Sequence, residues 1–184
     1  MAWIGIAIAV GVALWALAVF NGLVRARNQV RAAFSDIDVQ LSRRYDLVPQ
    51  LVAAVRGYAS HERQTLEAVT SLRQMAMTTP KLGDRSKVEN ALGDMVGRVV
   101  AVAEAYPELK AAQNFMQLSS NLVDVEDHLQ YARRFYNGAV RQLNDRIQRF
   151  PDLLLARPFG FKDADFYSDE RADLAQAPKV EGFA

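Results

Sequence analysis

Ala2 to Phe20 is a run of nineteen residues without a charge or a strongly polar side chain. As a helix rising ~1.5 Å per residue, the run covers roughly 28 Å, close to the ~30 Å hydrocarbon core of a bilayer. Trp3 lies near one end, where indole rings favour the interface, and Trp15 lies toward the other. Gly5 and Ala9, and likewise Ala7 and Gly11, are small residues four apart, a spacing that lets membrane helices pack closely. The first charges beyond the run are Arg25, Arg27 and Arg31, and the first acid is Asp36. The positive-inside rule therefore predicts an N-terminus outside and everything after Asn21 in the cytoplasm. Two other readings compete. A cleaved signal peptide would fit Ala16-Leu17-Ala18 but lacks a basic leading region, and a buried core helix fits poorly with so long an uncharged stretch.

Beyond the run the pattern is helical almost throughout, with no sustained period-2 alternation. Val30, Phe34, Ile37 and Leu41 form one apolar stripe, and Asp46 and Pro49 are expected to open a second helix. That helix runs to about Met77 on the seam Leu51, Val55, Tyr58, Glu62, Thr65, Val69 and Leu72. Thr78-Thr79-Pro80 and Gly83-Asp84 read as a loop. Ser86-Lys87-Val88-Glu89 matches a capping box opening the third helix, whose stripe is Val88, Leu92, Met95, Val99, Val102 and Tyr106. Pro107 and Glu108 start a fourth, whose stripe runs Phe115, Leu118, Leu122, Val125, Leu129, Ala132, Tyr136, Ala139 and Leu143 and stops at Pro151. The 3-4 alternation implies left-handed packing, and short connections imply antiparallel neighbours. The predicted fold class is all-α: a transmembrane anchor over 1–21, an antiparallel up-down four-helix bundle over 22–151, and a C-terminal tail over 152–184, first aromatic and then disordered. Phe159 and Phe161 in that tail either cover the bundle's open end or contact the membrane or a partner.

Chemistry is sparse. The net charge is +1 and cysteine is absent. The charge is not clustered as nucleic-acid binding requires, and no thiolate can serve as nucleophile or ligand. His61-Glu62 begins like a zinc-protease motif, but Thr65 stands where the second histidine belongs. His128 has Val125, not glutamate, three residues before it, and His61 has Tyr58, so a di-iron bundle site fails too. Asp36 and Asp38 point to different sides of a helix. No phosphate loop, nucleophile elbow or kinase signature occurs. The expectation is a protein without catalytic residues, cofactor, metal, nucleic-acid partner or evident small-molecule substrate. Arg43, Arg44 and Asp46, and further on Arg133 and Arg134, form charged clusters. They are either solvated faces or a docking surface at the bundle end far from the membrane.

Several motifs resemble one family. Asn21 to Asn28, Ile37-Asp38, Arg43-Arg44-Tyr45-Asp46-Leu47-Val48-Pro49, Leu51-Val52, Gly57-Tyr58-Ala59 and His61-Glu62 are similar to the N-terminal signature of LemA proteins. Tyr106-Pro107-Glu108-Leu109, Glu126, Arg133, Tyr136-Asn137, Phe150-Pro151 and Phe159-Gly160-Phe161 resemble the C-terminal signature. The resemblance implies a single-pass protein of the bacterial inner membrane carrying an antiparallel helical bundle, and it brings no catalytic residues with it. Related magnetosome proteins are linked to membrane remodelling, which favours a scaffold by analogy. The expected partners are the lipid bilayer and either a second copy of the chain or another protein. The alternative is an accessory subunit of a membrane-bound enzyme such as a protease.

Overall fold

The computed structural model describes residues 2–59, 61–80 and 82–167, and contains no strand among them. The predicted disorder of 168–184 lies outside the described residues. The helices are α1 (Ala2–Arg56), α2 (Arg63–Thr78), α3 (Leu82–Val102), α4 (Pro107–Ala111), α5 (Gln113–Gln148) and α6 (Leu153–Ala156), with a 3-10 turn at Ala103–Ala105. Contacts divide the described chain into two compact units. The first holds 2–40 and 128–166. The second holds 41–127 and Tyr167.

Helix α1 begins as the apolar run. Residues 2–15 are all exposed, so the run is not a core helix, and it is long and apolar enough to cross a bilayer. Burial begins at Val19 and Leu23 and continues through Val30, Ile37, Leu41, Val48, Leu51 and Val55. The expected new helix at Asp46 and Pro49 does not form, because α1 runs through both to Arg56. An interior proline removes the N–H that would bond the carbonyl four residues back, here that of Tyr45. Arg73 Nε from α2 donates to that carbonyl at 2.6 Å instead. The helix ends two turns later, where the Val55 carbonyl accepts from both Tyr58 and Ala59.

The displaced break changes the faces that follow. In α2 the buried residues are Leu66, Val69 and Ala76, whereas Tyr58 is exposed and Thr65 only half-buried. Helix α3 starts at Leu82, so Ser86 and Glu89 do not cap it. Both are buried in its interior, in line with Leu92, Val96 and Val99. The Ser86 hydroxyl donates back to the Gly83 carbonyl at 2.8 Å. Pro107 opens only the short α4, and the long helix starts afresh at Gln113. The stripe on α5 is buried as spaced at Phe115, Leu122, Val125, Leu129, Ala132, Tyr136, Ala139 and Leu143, while Leu118 is half-buried.

Leu129 is fully buried and Val123 is 59% exposed. Leu129→Ala should therefore cost ~2–5 kcal/mol and Val123→Ala under ~0.5 kcal/mol, as read by urea denaturation. The interior proline gives a second test. Arg73→Met orphans the Tyr45 carbonyl and should cost about 1–3 kcal/mol. The same change in a Pro49→Ala background should cost clearly less, since an alanine in place of the proline restores an N–H that can donate to that carbonyl.

Candidate functional site

The second unit is built around a charge. Arg44 is 2% exposed and Glu89 is 0% exposed, and a lone guanidinium at such a depth would be prohibitive. Its Nη1 donates to Glu89 Oε2 at 3.4 Å and to the Glu89 carbonyl at 3.2 Å. Its Nη2 donates to Glu126 Oε2 on α5. Next along α1, the Tyr45 hydroxyl donates to the other oxygen of Glu89. Within this unit, four side chains thus tie α1, α3 and α5 together. Gly93, one turn after Glu89, lies against the guanidinium, where a Cβ would come within 3.6 Å of Nη2.

Burial pushes the Tyr45 hydroxyl well above the ordinary tyrosine range, and Glu89 pushes it further, against an opposing hydrogen bond and charge from Arg85. Tyr136, in the first unit, is raised by burial and by the charge of Asp165. A raised pKa holds the proton more tightly in the folded state. The stabilisation is therefore complete below the unfolded value of about 10 and is lost as the pH rises beyond it. Tyr45→Phe should make the alkaline loss of stability shallower, as measured by denaturation at a series of pH values. Glu89→Leu should cost ~3–5 kcal/mol by removing the fully buried carboxylate that faces Arg44, and adding Arg44→Met should recover most of that loss.

Beside the cluster, α3 and α5 of this unit border a groove of about 600 Å³ lined by Arg44, Gly93, Gly97, Ala101, Ser119 and Val123 among others. Arg44 and Glu126 reach it already engaged with each other. Among the described residues, no group of three or more His, Asp or Glu side chains could hold a metal.

The first unit carries a second polar anchor. Arg146 Nε donates to Asp152 Oδ2 at 2.8 Å, and the guanidinium lies against Gly22, where any Cβ would overlap it. The Asn144 amide clamps Ala164 at both its N–H and its carbonyl, at 2.9 and 3.0 Å. The Tyr136 hydroxyl donates to the Asp165 carbonyl at 2.9 Å. The segment after α6 is thereby held along α5, with Gly160 at φ 71° permitting the turn that precedes it. Phe161 is buried against Phe20 at 5.9 Å between ring centroids, with Arg27 stacked 5.0 Å over its face. Phe159 also packs edge-on to Phe20, at 5.2 Å, yet remains 59% exposed.

The residues singled out from sequence separate accordingly. Trp3, Gly5, Ala7, Gly11 and Trp15 all lie on the exposed apolar turns of α1, and nothing comes within 4 Å of a Cβ built at either glycine. Arg43, Asp46 and Arg134 are exposed. Arg44 and Arg133 are buried instead, at 2% and 4% exposure. Arg44 follows the α1 seam inward. Sequence reasoning misses Glu89, which it assigns to a cap. The available signal is its register with Leu92, Val96 and Val99, which puts a carboxylate on the buried face.

Fold and cluster together define a class: an all-helical protein whose first helix joins a membrane-length apolar segment to helices tied by a largely buried Arg–Tyr–Glu–Glu network. The chain belongs to the LemA family, whose model matches residues 33–182. It is 23% identical to magnetosome protein MamQ of Magnetospirillum gryphiswaldense, across 83% of this chain and 66% of that protein. It is 24% identical to magnetosome protein MamQ 1 of Paramagnetospirillum magneticum over the same shares. With protein LemA of Metamycoplasma hominis it shares 27% identity across 71% of this chain and 60% of that protein. The chain thus spans 60–66% of the length of these curated relatives.

Proposed function

We propose that the chain is a membrane-anchored, non-catalytic scaffold of the bacterial inner membrane. Its first helix crosses the bilayer, and the helices that follow form an antiparallel bundle in the cytoplasm. The observation that carries this reading is within the first unit. The exposed apolar turns of α1 continue without a break into Leu23, Ala26, Val30, Ala33 and Ile37, all buried. A span joined to its body by unbroken helix transmits position and orientation, which a flexible tether does not. Arg25, Arg27 and Arg31 at the exit support a cytoplasmic body. Two ion pairs, Arg44 with Glu89 and the partly buried Arg146 with Asp152, hold helices and backbone in place.

The surface offered to a partner is also in the first unit. Val39, Tyr131 and Phe135 are 56%, 66% and 45% exposed and border a shallow depression of about 210 Å³ with Asp36, Gln40 and His128. Exposed aromatics of this kind are enriched at protein interfaces, and a second copy of the chain is the partner we assign. The test is molar mass in native-like membrane particles for the full chain and for Tyr131→Glu with Phe135→Glu. A defined oligomer that dissociates in the double variant is expected. A monomer in both would overturn self-association and favour an accessory subunit of a membrane-bound enzyme.

A further inference from the structure

The first unit bears an apolar and basic surface that the packed core leaves largely exposed. Between Arg149 and Lys162 the chain presents Phe150 at 74%, Leu154 at 56% and Phe159 at 59% exposure. Three large apolar side chains so exposed within ten residues form a patch of the kind that marks a contact. The exposed charges of the same stretch are all positive, namely Arg149, Arg157 and Lys162. Its one acid, Asp152, is 5% exposed and engaged by Arg146.

The position of this patch along α1 identifies its occupant. Phe159 and Phe161 both contact the ring of Phe20, the last residue of the uncharged run. Arg146, the partner of Asp152, lies against Gly22. Two independent contacts thus hold 152–161 at the level where the apolar turns of α1 give way to Arg25 and Arg27. If Ala2–Phe20 spans a bilayer, that level is the interface between hydrocarbon and headgroups. Exposed phenylalanine and leucine flanked by cations suit that zone, the rings entering the acyl boundary and the cations meeting phosphates.

We infer that residues 149–162 form a second membrane contact, an interfacial foot that inserts Phe150, Leu154 and Phe159 into the surface of an anionic bilayer beside the span. The inference rests on the anchored reading of α1. It adds that the first unit touches the membrane at two places, which fixes its tilt and rotation, where a single span would leave it free to swivel about the helix axis.

The absence of cysteine makes the test direct. Single-cysteine variants Leu14→Cys, Leu154→Cys, Phe159→Cys and Ser35→Cys of the full chain carry a nitroxide spin label; Ser35 is exposed on α1, well beyond the apolar turns. They are reconstituted in phosphatidylcholine vesicles with and without phosphatidylglycerol. Depth is read from collision with oxygen against collision with a water-soluble nickel complex. Labels at 154 and 159 are expected to give an oxygen-to-nickel ratio several-fold above that at 35, and to sit deeper with the anionic lipid. Arg149→Gln with Arg157→Gln and Lys162→Gln should abolish that lipid dependence. Ratios at 154 and 159 equal to that at 35, with position 14 deep, would overturn the foot and leave the anchor standing. A water-like ratio at position 14 would overturn the anchor itself. Depth indifferent to lipid charge would overturn the anionic preference.

Discussion

A guanidinium held inside an apolar helix seam sets the terms for the second unit. Arg44 occupies a position that spacing reserves for a hydrophobic side chain, between Leu41 and Val48, and Glu89 and Glu126 face it there. Those carboxylates come from α3 and α5, so the register of three helices is fixed by one side chain. Replacing such a network by apolar residues is often no less stable. What the charges add is discrimination, since sliding α3 by one turn would bury Glu89 away from Arg44 and Tyr45. A seam of leucine and valine alone would penalise that slip far less.

The first unit reaches specificity by another route. Its polar anchors lie mostly between side chains of α5 and the backbone of the segment that follows α6. Asn144 reads both the N–H and the carbonyl of Ala164, and Tyr136 reads the carbonyl of Asp165. Such contacts ask little of side-chain identity at 164 and 165 but fix the path of the backbone. That path leads Phe161 inward and leaves Phe159 outward across the single turn at Gly160.

Much of this was legible in the sequence. The α5 stripe is buried almost as spaced, and the apolar run forms the start of a helix. The misplaced helix boundaries share one cause. Asp46 and Pro49 are sound local signals for a helix start, yet the 4-3 spacing that begins at Val30 continues through Leu41, Arg44, Val48, Leu51 and Val55 without a change of phase. Tertiary structure follows the longer pattern, and an arginine from another helix supplies the donor that proline lacks. Ser86 and Glu89 mislead in the same way, because a capping-box spacing of three is also the spacing of a buried face. Glu89 stays hidden because a carboxylate on a seam makes sense only once its partner 45 residues earlier is known. The pairing of Phe20 with Phe159 and Phe161 spans some 140 residues, and no local pattern encodes it.

The two kinds of anchor meet different demands. A body joined to a membrane helix is pulled by whatever binds it, and any local slip within the helices would dissipate that load. In the second unit, the Arg44 network resists sliding of helices along their axes, since the ion pairs have a fixed register. In the first, aromatic contacts to Phe20 and the Arg146–Asp152 pair beside Gly22 hold the returning chain against α1 just where the apolar turns end. Displacing that chain would expose Phe161 and separate a partly buried ion pair at once. The unbroken helix and this clamp together join the exposed apolar turns directly to the packed chain that follows them. Such a join suits the positioning role proposed above, which a flexible tether would not serve.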